Sequence, residues 1–124
     1  MARIIVIDDD AVLRATVVRA LETVGHEVRA AEEGEHGLAL LAEQPADLLI
    51  TDIFMPGQDG IVTLVRIRKE FPGLKVIVMS GGGMDGRLDF LEDARVLGAL
   101  ATLRKPFGPA DVRRVVKEVL EGAP

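Results

Sequence analysis

Residues 4–10 read IIVIDDD, four β-branched apolar residues followed at once by three aspartates. Such a run is too short to be the buried stripe of a helix and lacks the alternation of a half-exposed strand. It therefore reads as a strand covered on both faces. Similar short apolar runs recur at Val28 to Ala31, Leu48 to Thr51, Val76 to Met79 and Leu100 to Leu103. Between them the apolar spacing turns helical. Leu13, Val17, Ala20, Leu21 and Val24 fall on one stripe, with Asp9 or Asp10 placed to cap its start and Gly25 to close it in a left-handed conformation. Further helices are expected over about 35–43, ending before Pro45, over 61–71, ending before Pro72, and over 86–97. The last opens at Pro109 and carries Val112, Val115, Val116, Val119 and Leu120. Five βα units predict an α/β fold: a doubly wound, five-stranded parallel sheet in the order 2-1-3-4-5 with right-handed crossovers. Ligands of such a sheet gather outside the carboxyl ends of its strands.

Composition supports one domain. With 124 residues, 48% apolar and 28% charged, and with 13 Gly and 6 Pro, the chain has enough apolar surface for a single core. A net charge of −5 offers no broad basic field for a phosphate backbone, so no direct nucleic-acid partner is expected. The absence of cysteine excludes disulfides, thiolate metal sites and thiol nucleophiles, and fits a reducing compartment. The apolar run at 4–7 is shorter than the core of a signal peptide, about 7–15 residues. The longest apolar run, Val96 to Ala101, is well short of the roughly 18 residues of a membrane span. A cytoplasmic protein with no membrane partner is the expectation.

The residues that follow the predicted strands carry the chemistry. Asp8 and Asp9 follow the first, Asp52 the third, Ser80 the fourth and Lys105 the fifth. Taken singly, each has a plain structural use as a cap, a turn residue or a solvated charge. Taken together they converge on one edge of the sheet. Carboxylates brought to 4 Å repel by about 4 kcal/mol per pair at an effective dielectric of about 20. Lys105 offsets one of the three charges, and one hard divalent cation cancels the rest; an all-oxygen set that retains water suits Mg²⁺. Asp10 and Asp59 read as helix-end groups, and no calcium-binding loop is present. A carboxylate beside Mg²⁺, with an ammonium and a hydroxyl nearby, is an arrangement for phosphoryl transfer in which an aspartyl oxygen becomes an acyl phosphate. That reading needs Asp52 to be reachable from solvent.

IIVIDDD at 4–10, DIFMPGQDG at 52–60, VIVMSGG at 76–82 and RKPF at 104–107 resemble the receiver domain of two-component response regulators. The likeness spans residues 1–121, leaving 122–124 as a C-terminal tail, and implies a flavodoxin-like three-layer sandwich. The resemblance implies that Asp52 accepts a phosphoryl group from a sensor histidine kinase or a phosphotransfer protein. It further implies that Asp9, Asp52 and the backbone carbonyl of Phe54 ligate Mg²⁺ directly, with Asp8 acting through water, while Ser80 and Lys105 hold the phosphoryl oxygens. The Lys105–Pro106 bond is expected cis. A phosphorylation-dependent change of surface would then reach a downstream effector that the sequence does not name. Turnover is confined to the protein's own phosphorylation and dephosphorylation, and with nothing after Pro124 no output domain is expected.

Two positions depart from the family pattern. Thr102 stands where Tyr or Phe usually precedes the lysine by three, so the switch is expected to rest on Ser80, the Gly81-Gly82-Gly83 loop and the predicted helix that follows. Phe54, two residues beyond Asp52, offers no group to orient water, and slow self-dephosphorylation is expected.

Other readings compete. Asp8-Asp9-Asp10-Ala11-Val12 also resembles the nucleophile motif of haloacid-dehalogenase-type phosphatases, with Asp8 as nucleophile, but the chain is short for that family and Asp52 would then have no role. A phosphorylation-independent interaction module is the third reading. Gly81, Gly83 and Gly86 match a dinucleotide fingerprint formally, yet no acid follows about 20 residues on. His26 and His36 are expected to be solvated, Phe107 to join the core, and Arg87, Arg104, Arg113, Arg114 and Lys117 to form a solvated face.

Overall fold

The computed structural model describes residues 1–55, 58–81 and 98–122, with only the backbone of residues 54, 55, 58, 59 and 81. Each short apolar run is a strand: β1 (Arg3–Ile7), β2 (Glu27–Ala31), β3 (Leu48–Asp52), β4 (Lys75–Gly81) and β5 (Ala101–Lys105). They pair in parallel in the order β2-β1-β3-β4-β5, the expected doubly wound order. The helices are α1 (Ala11–Glu22), α2 (Gly34–Glu43), α3 (Gly60–Glu70) and α4 (Pro109–Leu120). A two-residue antiparallel ladder joins Phe54–Met55 to Gln58–Asp59 between β3 and α3. The helix expected over 86–97, Arg87 and the glycines at 82 and 83 lie outside the described residues.

Alternate side chains of a strand face opposite sides of a sheet. Here both sides are covered. Ile4, Val6, Leu48, Ile50, Ile77 and Met79 pack with Val17 and Leu21 of α1 and Val112 and Val116 of α4. Ile5, Ile7, Leu49, Val76 and Val78 pack on the other side with Leu38 and Leu41 of α2 and Leu64 and Ile67 of α3. Burying each such side chain contributes about 1.5–3 kcal/mol, which is why the strand runs are continuously apolar. The result is a three-layer sandwich. Among the described residues no helix is long and apolar enough to cross a membrane.

Helix ends follow local chemistry. The Asp10 carboxylate accepts from the backbone N–H groups of Val12 and Leu13, so Asp10 rather than Asp9 caps α1. Gly25 closes the turn after α1 at φ +93°, as expected. α4 has Pro109 at its first turn, and the Asp111 carboxylate accepts from the Gly108 N–H. Lys75 Nζ donates to the Val119 and Leu120 carbonyls at the helix's other end.

Several expectations are corrected. Val24 lies beyond α1 and is 53% exposed, so the apolar stripe ends at Leu21. β5 begins at Ala101, leaving Leu100 59% exposed, and it runs through Lys105 rather than stopping at Leu103. Ser80 lies within β4, which continues to Gly81. His26 is half-buried and not solvated: its Nδ1 accepts from the Ala2 N–H at 3.1 Å, tying β2 to the start of β1. His36 is exposed, and Phe107 packs half-buried on the α1/α4 side of the core, as expected. Arg104, Arg114 and Lys117 are exposed, whereas Arg113 is half-buried.

Candidate functional site

The carboxyl edge of the sheet collects the residues that follow its strands. Asp8 directly follows β1, while Asp52 and Lys105 end β3 and β5. All three continue the strand positions that face α1 and α4, which is why they converge. Asp8 is fully buried. Its N–H donates to the Ala31 carbonyl, its Oδ1 accepts from the Asp10 N–H at 2.9 Å, and its carbonyl accepts from Arg14 Nη1 at 2.7 Å. Its Oδ2 has no well-directed hydrogen bond among the described residues, although Lys105 Nζ stands 3.2 Å away. The same Nζ donates to Asp52 Oδ2 at 2.7 Å, so one ammonium bridges two carboxylates. One carboxylate oxygen from each of Asp8, Asp9 and Asp52 lies within 4.8 Å of the other two.

Asp52 is itself only 3% exposed. The side chain is thus nearly closed to solvent, against the open access expected of it, and the cluster meets solvent at the exposed Asp9. Ser80 is buried on β4, one residue beyond Met79, the register partner of Asp52, and one before Gly81, the partner of Lys105. Thr102 is half-buried opposite Val78 and shares a sheet face with Ser80, which pairs with Arg104 two residues along. The Phe54 backbone belongs to the short ladder that opens after Ile53. Ile53 and Gly60 stand close together: a Cβ on Gly60 would lie 2.2 Å from the Ile53 carbonyl oxygen, so only glycine fits. The Lys105–Pro106 bond is cis, as expected.

The electrostatics are those of crowded acids. Burial pushes the Asp8 carboxyl above its ordinary range, and the Asp52 charge adds to this; the Asp10 N–H and Lys105 pull the other way without overcoming it. For Lys105, burial is the largest single influence and favours the neutral amine. The hydrogen bond and charge of Asp52, joined by Asp8, outweigh it, so the ammonium holds its proton above its ordinary range. The Asp8 Oδ2, which lacks a well-directed hydrogen bond, and the close all-oxygen set fit a hard divalent cation such as Mg²⁺.

The sequence reading missed Arg14 as part of this edge. Its contact is with a main-chain oxygen, which no residue type in the sequence marks.

Residues 4–117 match the family described as response regulator receiver domain. The chain is a receiver domain. It is 36% identical over 119 residues to the DNA-binding transcriptional regulator NtrC of Azospirillum brasilense, covering 96% of this chain and 24% of that protein. It is 30% identical over 118 residues to the sporulation initiation phosphotransferase F of Bacillus subtilis, covering 95% of this chain and 93% of that one. The crystal structure of the receiver domain of NtrX from Brucella abortus superposes with a TM-score of 0.89 at 31% identity, covering 97% of this chain and 99% of that one. The receiver domain thus spans about a quarter of the NtrC relative and nearly all of the phosphotransferase.

Proposed function

We propose that Asp52 is the phosphoacceptor of this receiver domain and that it takes its phosphoryl group from a phosphohistidine of a sensor kinase or phosphotransfer protein. The observation that carries the reading is the single ammonium of Lys105, 2.7 Å from Asp52 and 3.2 Å from Asp8, at an edge where three carboxylates crowd. An Asp52 oxygen attacks phosphorus, the N–P bond of the donor breaks, and an acyl phosphate forms. Lys105, already bonded to Asp52, meets the charge that arrives on the phosphoryl oxygens, and Ser80, at the end of the neighbouring strand, would donate its hydroxyl to them. Asp8, Asp9, Asp52 and the Phe54 carbonyl would hold Mg²⁺. When bound, that ion supplies positive charge against the acids and the transferring group. The donor class draws support from the Bacillus relative, a phosphotransferase by name.

The module is residues 1–121, with 122–124 as a tail; its effector recognises the surface altered by phosphorylation. The cysteine-free chain suits the reducing cytoplasm where such donors act. A phosphatase using Asp8 as nucleophile leaves Asp52, bonded to Lys105 at 2.7 Å, without a role.

The test is Asp52→Asn. Treated with acetyl phosphate and Mg²⁺, the wild-type chain gains one phosphoryl adduct by intact mass and the variant gains none. An adduct of equal yield on the variant overturns the assignment.

A further inference from the structure

Arg14 sits in the second turn of α1, with 19% of its side chain exposed. Its guanidinium turns back toward the end of β1, where Nη1 donates to the Asp8 carbonyl at 2.7 Å. The other guanidinium contact, Nη2 to Glu32 at 3.9 Å, involves a carboxylate that is 78% exposed, too long and too wet to hold the group. The carbonyl is the anchor. Asp8 is fully buried, and among the described residues no second donor reaches that oxygen. A buried carbonyl without a donor is costly, and a charge-assisted bond is the strong way to satisfy it.

The bond has a consequence one residue further on. The Asp8–Asp9 peptide is planar, so holding its carbonyl fixes the rotation of the whole unit and the direction in which the chain leaves toward the Asp9 Cα. Asp9 is exposed, and no hydrogen bond or ion pair holds its carboxylate among the described residues. Its backbone therefore places it within reach of Asp8 and Asp52. Resting on the reading of these three acids as a divalent-cation site, we infer that Arg14 is a positioning residue that sets the affinity of that site through the Asp8–Asp9 peptide.

Calorimetric titration of the full chain with Mg²⁺, on wild type and on Arg14→Met, Arg14→Lys and Glu32→Gln, tests this. R14M weakens Mg²⁺ binding by about tenfold or more, the usual effect of losing a group that orients a ligand. Acetyl phosphate labelling of R14M then needs more Mg²⁺ but reaches the wild-type rate at saturation. R14K recovers most of the affinity, because one N–H donor at that reach suffices, and E32Q binds as wild type. A merely structural Arg14 would lower the melting temperature and leave the affinity of the folded protein unmoved. Wild-type affinity in folded R14M overturns the inference and leaves the cation site standing; a wild-type chain that binds no Mg²⁺ overturns the site and the inference together. If R14M does not fold, Arg14→Ala, which likewise has no donor for the carbonyl, carries the test by the same loss of affinity. An Asp8 carbonyl ¹³C resonance that moves while Mg²⁺ affinity does not overturns the inference.

Discussion

Asp8 shows what the site costs the fold. Its carboxylate is fully buried, lacks a well-directed partner at Oδ2 and faces Asp52, and even with Lys105 3.2 Å away its pKa is raised. The net environment therefore disfavours its charge. Asp8→Asn keeps an oxygen for the Asp10 N–H while removing that charge, so without divalent cation the variant should be more stable by about 1–2 kcal/mol. Urea unfolding in EDTA measures this, and a less stable variant would refute it. Adding Mg²⁺ should shrink the gap, because the wild type alone then has its full set of acids to offer. These acids, with Ser80 and Lys105, were legible because each stands at the end of an apolar run, and strand ends converge in a doubly wound sheet. Arg14 was not. Its bond returns from a helix to a main-chain oxygen six residues back, and no pattern of residue types records that.

Among the elements, β1 to β4 and the four described helices were readable from apolar spacing, since strands buried on both faces differ plainly from helices buried on one. The misreadings fall where exposure departs from residue type. Leu100 and Val24 are apolar but exposed, and each drew an element boundary outward. His26 failed in the opposite sense: Gly25-His26-Glu27 looks like a solvated turn, whereas its imidazole accepts from Ala2, 24 residues away in sequence. Nδ1 must be unprotonated to accept that bond. Burial, together with the positive N-terminus, lowers the His26 pKa below its ordinary 6.5. A depressed folded value means the contribution is complete above about pH 6.5 and lost as pH falls through the folded value. As pH falls from about 7.5 to 5.5 the wild type should therefore lose stability. His26→Asn, whose oxygen can take the Nδ1 place without titrating, should lose less. Equal losses by denaturant unfolding would remove His26 from the account.

At the scale of the whole molecule, the three acids come from the ends of β1 and β3, so a cation bound among them is tied to two paired strands of one sheet. β1 and β3 also contribute to both core layers. Loss of the cluster's geometry thus requires disruption of the common core, and binding should stabilise the global fold rather than one fraying segment. A ligand that binds only the native state contributes RT ln(1 + [L]/Kd), about 2.7 kcal/mol at one hundred times Kd. For a chain of this length that corresponds to a rise in melting temperature on the order of 10 °C. The rise should be abolished by EDTA and reduced in D52N, which keeps the strands but gives up one of the three carboxylates. It should also appear equally in circular dichroism and in the slowest-exchanging amides of β1 and β3, because a tie between two core strands shifts the single cooperative transition. A melting temperature indifferent to millimolar Mg²⁺, or protection gained only beside Asp9, would show that the acids do not act as one site.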